Sequence, residues 1–112
     1  MLSQLSPQHL AELCKGQWYQ DKIPSARFTA AQIDSRLMES NQLFIALEGK
    51  QTDGHRFIAN LDPEQQQAAI VEKPEPQARA AQLCVASSLR ALQALSGEIA
   101  GRTTAIKFAL TG

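Results

Sequence analysis

The sequence predicts an α/β fold, a small mixed β-sheet covered by short helices, and three observations predict it. Apolar runs of strand length recur at residues 42–47, 68–71, 83–86 and 107–110. Segments with apolar residues at helical spacing precede or separate them. Gly, Pro, Asn and Asp gather at the joins, where tight turns need them. Strands alternating with helices imply helices laid over a sheet rather than two stacked sheets. The 112 residues suit one domain, and 44% apolar with 20% charged residues is the composition of a chain that buries a core.

The first helix is expected over residues 7–15. Ser6 accepts from the free amides of the first turn, Pro7 stands where a missing N–H costs nothing, and Leu5 and Leu10 staple that end. Leu10, Leu13 and Cys14 continue the stripe, and Gly16 is placed for a left-handed cap. Trp18 and Tyr19 favour a strand over residues 17–20, followed by a loop from Asp21 through Ser25. A second extended stretch, 27–34, ends at Asp34-Ser35-Arg36, and 42–47 makes a buried strand closed by Glu48-Gly49. A brief helix carries Phe57, Ile58 and Leu61, and Asp62-Pro63 opens another helical turn. After the strands at 68–71 and 83–86, Ser87-Ser88 caps a helix whose Leu89, Leu92, Leu95 and Ile99 recur every three or four residues. A final strand covers 107–110. Left uncovered, the edge at 105–110 would favour dimerisation.

Composition excludes several functions. Eleven Lys plus Arg balance eleven Asp plus Glu, and no basic run could track a phosphate backbone, so no nucleic-acid partner is expected. The start has no basic-then-apolar leader, and nowhere do about 18 apolar residues run together, so the expectation is a cytoplasmic protein without membrane insertion. Cys14 and Cys84 have no CxxC spacing and read as reduced core thiols. His9 reads as a solvated residue and His55 as a stabiliser of its turn. No Ser/His/Asp triad, paired carboxylates or metal-ligand spacing stands out, so no catalytic or metal-binding residue is assigned.

Three motifs form a linked series: Asp34-Ser35-Arg36, then Leu43-Phe44-Ile45-Ala46-Leu47-Glu48-Gly49, then Asp53-Gly54-His55-Arg56-Phe57-Ile58. Together they resemble the first-domain signature of the Mur ligases, which build the peptide of bacterial cell-wall precursors. Ala68-Ala69-Ile70-Val71 is similar to that family's next strand, and residues 83–95 resemble its following strand and helix. Ala109-Leu110-Thr111-Gly112 resembles the strand entering the family's ATP loop, of which only the opening Thr111-Gly112 is present. There are departures. Ser40-Asn41-Gln42 stands where the family has Pro-Gly-Asp, a turn that Asn can make because it tolerates positive φ, and Ser87 replaces the usual Asp.

The resemblance implies a single N-terminal domain, residues 1–112, that docks UDP-MurNAc-tripeptide and ends just before an ATP-binding central domain. By resemblance, Ser35 donates to the diphosphate, Ile33 lines the uracil slot, Arg36 adds charge, and Lys50, Gln51 and Thr52 close over the uridine. Asp34, Gly49, Asp53, Gly54 and His55 shape the loops. ATP and magnesium belong to the complete enzyme, and the partners are the UDP-MurNAc-peptide and the central and C-terminal domains of the same chain. Within the family, the resemblance favours the ligase that adds D-alanyl-D-alanine over the one that adds the third peptide residue.

The residues alone leave other readings open. Asp34 and Ser35 can simply cap a turn, with Arg36 pairing to Asp34 or Asp53. Trp18 and Tyr19 can face a ligand or pack in the core. A neutral chain without catalytic residues also fits a protein-interaction module.

Overall fold

The computed structural model describes residues 5–25, 27–47, 54–100 and 107–109. In chain order they form α1 (Pro7–Cys14), β1 (Gln17–Trp18), β2 (Ala30–Gln32), β3 (Gln42–Ile45), β4 (Ala68–Val71), β5 (Ala81–Cys84), α2 (Ser88–Ala100) and β6 (Lys107–Ala109). Short 3-10 segments lie at Tyr19–Asp21, Ser35–Leu37, Gly54–Asn60 and Pro63–Gln65. The strands make one sheet in the order β1-β5-β4-β3-β2-β6, parallel except for β1, which runs antiparallel beside β5. This is the mixed sheet with helical cover that the sequence predicts.

The start of α1 follows its sequence signals. Ser6 Oγ accepts from the His9 amide at 3.1 Å, and Leu5 and Leu10 are both buried in one cluster. Its end does not. Lys15, at φ 56 and ψ 44, takes the left-handed position expected of Gly16. Gly16 serves instead as a point of close approach: a Cβ there would meet the Cys84 carbonyl oxygen and Val85 Cγ1 at 2.8 Å each. The turn is thus held by a lysine, and the glycine lets the chain pass against the end of β5.

Strand lengths depart from expectation for reasons of pairing. The stretch at 17–20 yields a two-residue β1, because Tyr19 enters a 3-10 turn with Gln20 at φ 57. From 27–34 only Ala30–Gln32 pairs as strand, yet all three residues are buried, since β2 lies between β3 and β6. Phe28 instead bridges back to Leu5 through two backbone bonds of 3.0 and 2.9 Å. β4 has the expected bounds, and β3 stops two residues short of Leu47. β5 starts at Ala81 rather than Leu83, because Ala81 and Gln82 pair with Ala68 and Ala69. Small and polar residues carry no strand signal of their own.

α2 turns a different face to the sheet than its leucine spacing suggests. Ser87 Oγ accepts from the Arg90 amide at 3.2 Å, as a capping serine should, and the Glu72 carboxylate at the end of β4 accepts from the Ser88 amide at 2.8 Å. The buried line is Ser88, Ala91 and Leu95, with Leu92 half-buried, while Leu89 is 54% exposed. Each three-residue step drifts about 60° around a helix, so Leu89 and Leu95 diverge by about 120°.

Both faces of the sheet are covered. Leu43, Ile45, Ile70 and Leu83 pack with Leu10 of α1 and Leu95 of α2. On the other face Phe44, Ala69 and Val71 meet Ile58 and Leu61, and Phe57 stands edge-on to Phe44 with ring centres 6.5 Å apart. Strand alternation in β3 and β4 assigns these residues to opposite sides.

Candidate functional site

The parallel strands have a direction, and the sequence-predicted site lies at one end of it. β2 and β3 are neighbours in register, Ala30 opposite Gln42 and Gln32 opposite Phe44. Ile33-Asp34-Ser35-Arg36 therefore leaves β2 at the same carboxyl edge at which Ala46 and Leu47 leave β3. The order β2, β3, β4, β5 runs one way across the sheet; then α2 carries the chain back to set β6 on the other side of β2. β2 is the strand on which the order turns, and the carboxyl end of such a strand is where open α/β sheets bind ligands.

The turn after β2 is built from its own side chains. Asp34 Oδ1 accepts from the Arg36 backbone amide at 3.0 Å and from its Nε at 2.9 Å, while Oδ2 accepts from Nη2 at 2.6 Å. The Leu37 amide closes the turn on the Asp34 carbonyl at 3.0 Å. The Arg36 side-chain bond, helped by its backbone amide, holds the Asp34 carboxyl down at about 2. The same partnership raises Arg36 further above its usual value. Of the pairings open in the sequence, Arg36 to Asp34 is formed, while Asp53 lies outside the described residues. The guanidinium is 84% exposed at the side chain, against 12% for Asp34, so the arginine presents its outer side to solvent at this edge.

Other predicted residues fall as follows. Ile33 is half-buried and packs on the helix-side core. Ser35 opens the 3-10 turn Ser35–Leu37, and Gly54 and His55 open the turn Gly54–Asn60; the side chains of Ser35 and His55 lie outside the described residues. Gly49, Lys50, Gln51, Thr52 and Asp53 also lie outside them, as do Thr111 and Gly112. Asn41 adopts φ 62, the positive value expected of it at the Ser40-Asn41-Gln42 turn. Trp18 is a core residue, 4% exposed, with its indole N–H on the Pro7 carbonyl at 3.1 Å.

A concavity of about 310 Å³ opens at the opposite, amino edge of the sheet, and among the described residues none of the predicted site lines it. Tyr19, Lys22, Pro24, Pro63, Arg79 and Gln82 are among its walls. No local signal announces it, because its walls come from three segments separated by long stretches of chain. Two buried glutamines brace it. Gln82 accepts from the Glu75 amide at 2.7 Å and donates to the Glu75 carbonyl at 2.8 Å. Gln67 accepts from the Asp62 amide at 2.9 Å and donates to the Glu39 carbonyl at 3.3 Å.

Both cysteines are free thiols. Burial pushes Cys14 up to about 11 and raises the less buried Cys84 as well. Among the described residues no group of three or more His, Cys, Asp or Glu side chains could hold a metal ion, and no helix is long and apolar enough to cross a membrane.

Comparison with known proteins identifies the frame in which these residues sit. The model of the Mur ligase family, catalytic domain, matches residues 27–101. Crystal structure I of MurF from Acinetobacter baumannii is 38% identical, with a TM-score of 0.75 over 82% of this chain and 20% of that one. A UDP-N-acetylmuramoylalanyl-D-glutamyl-2,6-diaminopimelate--D-alanyl-D-alanyl ligase from the same organism superposes with a TM-score of 0.74 at 38% identity, over 82% of this chain and 20% of that one. A UDP-N-acetylmuramoyl-L-alanyl-D-glutamate--2,6-diaminopimelate ligase of Bacteroides thetaiotaomicron is 60% identical over 30 residues, 27% of this chain and 6% of the relative. The chain spans about a fifth of the length of the solved structures it matches. The family match covers more than half of the sequence, and the fold agrees with it: the chain belongs to the Mur ligase family.

Proposed function

We propose that residues 1–112 form the N-terminal domain that docks the UDP-MurNAc-tripeptide of an ATP-dependent ligase adding D-alanyl-D-alanine to a peptidoglycan precursor. One observation carries the reading. The Asp34-Ser35-Arg36 turn is fixed at the carboxyl end of β2, where the strand order turns, and the chain leaves the neighbouring β3 at that same edge. Ser35 would donate to a diphosphate oxygen, Ile33 would line the uracil slot, and the exposed Arg36 would add positive charge beside the phosphates. Asp34 fixes the turn through its paired bonds to Arg36 and so orients the guanidinium at this edge.

No catalytic step is assigned to the described residues. ATP, magnesium and the central and C-terminal domains belong, in this reading, to the rest of a cytoplasmic parent enzyme, whose ATP loop would open at Thr111-Gly112. The 38% identity to the D-alanyl-D-alanyl ligases supports the substrate named here. The 30-residue match to a diaminopimelate-adding ligase favours a second reading, the ligase that adds the third peptide residue. Assay of the full-length ligase with D-alanyl-D-alanine against diaminopimelate separates the two.

Docking itself is tested by titrating the chain with UDP and with UDP-MurNAc-tripeptide while following backbone amide signals. Those of Ile33, Ser35 and residues 50–52 should move, and Ser35→Ala should weaken binding about tenfold, the worth of one hydrogen bond to a charged group. A folded chain whose signals stay still at several millimolar ligand would refute docking.

A further inference from the structure

We propose that the cleft at the amino edge of the sheet is a second binding site, for a small carboxylate carried on a compact apolar body. It shares no residue with the docking turn and lies at the other end of the strands, so it stands or falls independently of the proposed function.

The argument begins with charge. Lys22 and Arg79 line the cleft, and among the described residues no acidic side chain lines it with them. Lys22 has no ion-pair partner among the described residues. The carboxylate nearest to Arg79 is that of Asp62, at 4.0 Å, and its Oδ1 already accepts from the Glu64 amide at 2.9 Å, capping the Pro63–Gln65 turn. Both cations thus have charge left to offer an anion entering between the walls.

The walls decide what kind of anion. Tyr19, Ile23, Pro24, Pro63 and Pro76 supply flat or compact apolar surface, and Ile23, 52% exposed, has apolar area open to a ligand. Inorganic phosphate would leave that surface unused. A volume of about 310 Å³ is at the small end of ligand sites, which suits a single ring or short branched body rather than a sugar nucleotide.

The cleft is also pre-formed. Gln67 and Gln82 spend both amide atoms holding the loops behind it. Gln20 and Gln66, at φ 57 and 63, sit in the left-handed region that non-glycine residues adopt at a cost, so their surroundings dictate the shape of the wall. A rigid cleft loses little freedom when it binds.

Benzoate is the probe, with benzamide as its neutral isostere and inorganic phosphate as an anion without an apolar body. In an amide-resolved NMR titration of the whole chain, benzoate should shift the signals of residues 19–23, 66–67 and 79–82 and leave those of residues 33–37 in place. Lys22→Gln and Arg79→Gln are exposed substitutions, and each should weaken benzoate binding roughly threefold with the rest of the spectrum unchanged. The proposal is overturned if benzoate moves none of these signals by about 20 mM, a concentration well above a millimolar dissociation constant. It is equally overturned if benzamide or phosphate binds as well as benzoate, or if neither substitution weakens binding.

Discussion

Alanine should have opposite effects at two glycines of this domain, and the structure supplies both magnitudes. At Gly16 a methyl group would stand 2.8 Å from the Cys84 carbonyl oxygen, 2.8 Å from Val85 Cγ1 and 3.0 Å from Leu83 Cγ. The carbonyl is backbone at the end of β5, which is paired to both β4 and β1, so it cannot swing aside as a side-chain tip would. Either α1 or the sheet edge must move, a strain of the overpacking kind that costs about 1–3 kcal/mol. At Gly97 a methyl group meets nothing within 4 Å, inside α2, and alanine there should gain roughly 0.5–1 kcal/mol from helix propensity. For a domain of this size 1 kcal/mol corresponds to about 4 °C in Tm, so Gly16→Ala should lower Tm by about 4–12 °C and Gly97→Ala raise it by about 2–4 °C. Urea denaturation followed by circular dichroism, with both variants at equal concentration, reads the difference directly. A neutral or stabilising Gly16→Ala would refute the claim that the chain passes against β5 at that residue.

Three further predictions follow from the same geometry. Leu95→Ala should cost about 2–4 kcal/mol, since Leu95 is 1% exposed, whereas Leu89→Ala should stay within about 0.5 kcal/mol; equal losses in a denaturation experiment would return the leucine stripe to the core. Asp34 has a folded-state value of about 2, below the ordinary carboxylate value of about 4. The unfolded chain therefore protonates first on acidification: the turn's contribution is complete above about pH 4 and is lost as pH falls through about 2. Carboxyl NMR titration showing Asp34 at an ordinary value would contradict the Arg36 pairing. At pH 8 a thiol reagent should modify Cys84 well before Cys14, which burial holds at about 11, and Cys14 should react only on unfolding; simultaneous modification in the folded chain would exclude its burial.

The readable and unreadable parts of the fold divide by range. Ser6 and Pro7 announced α1, Asp62-Pro63 its short turn and Ala68 to Val71 a buried strand, because capping and apolar runs act within a few residues. Ala81 and Gln82 gave no such notice, since they are strand only through pairing with Ala68 and Ala69. The stripe on α2 misled for a related reason: spacing measures amphipathicity, while the face that packs is chosen by what lies beneath it. At the Asp34-Ser35-Arg36 turn the residue types were legible and left the partner of Arg36 open, and the fold forms its pair with Asp34. The amino-edge cleft was invisible, being made where residues 19–25, 63–67 and 76–82 meet.

By itself the sequence determined the α/β class, the family and the identity of the turn residues, because motif spacing and local hydrogen bonding survive without knowledge of the partner strand. Tertiary structure alone decided the strand order β1-β5-β4-β3-β2-β6, which brings the Asp34 turn and the exit of β3 to one edge and builds a cleft at the other. The physical reason is that strand pairing joins residues far apart in the chain, through backbone groups that are the same in every residue and so leave no mark in the sequence.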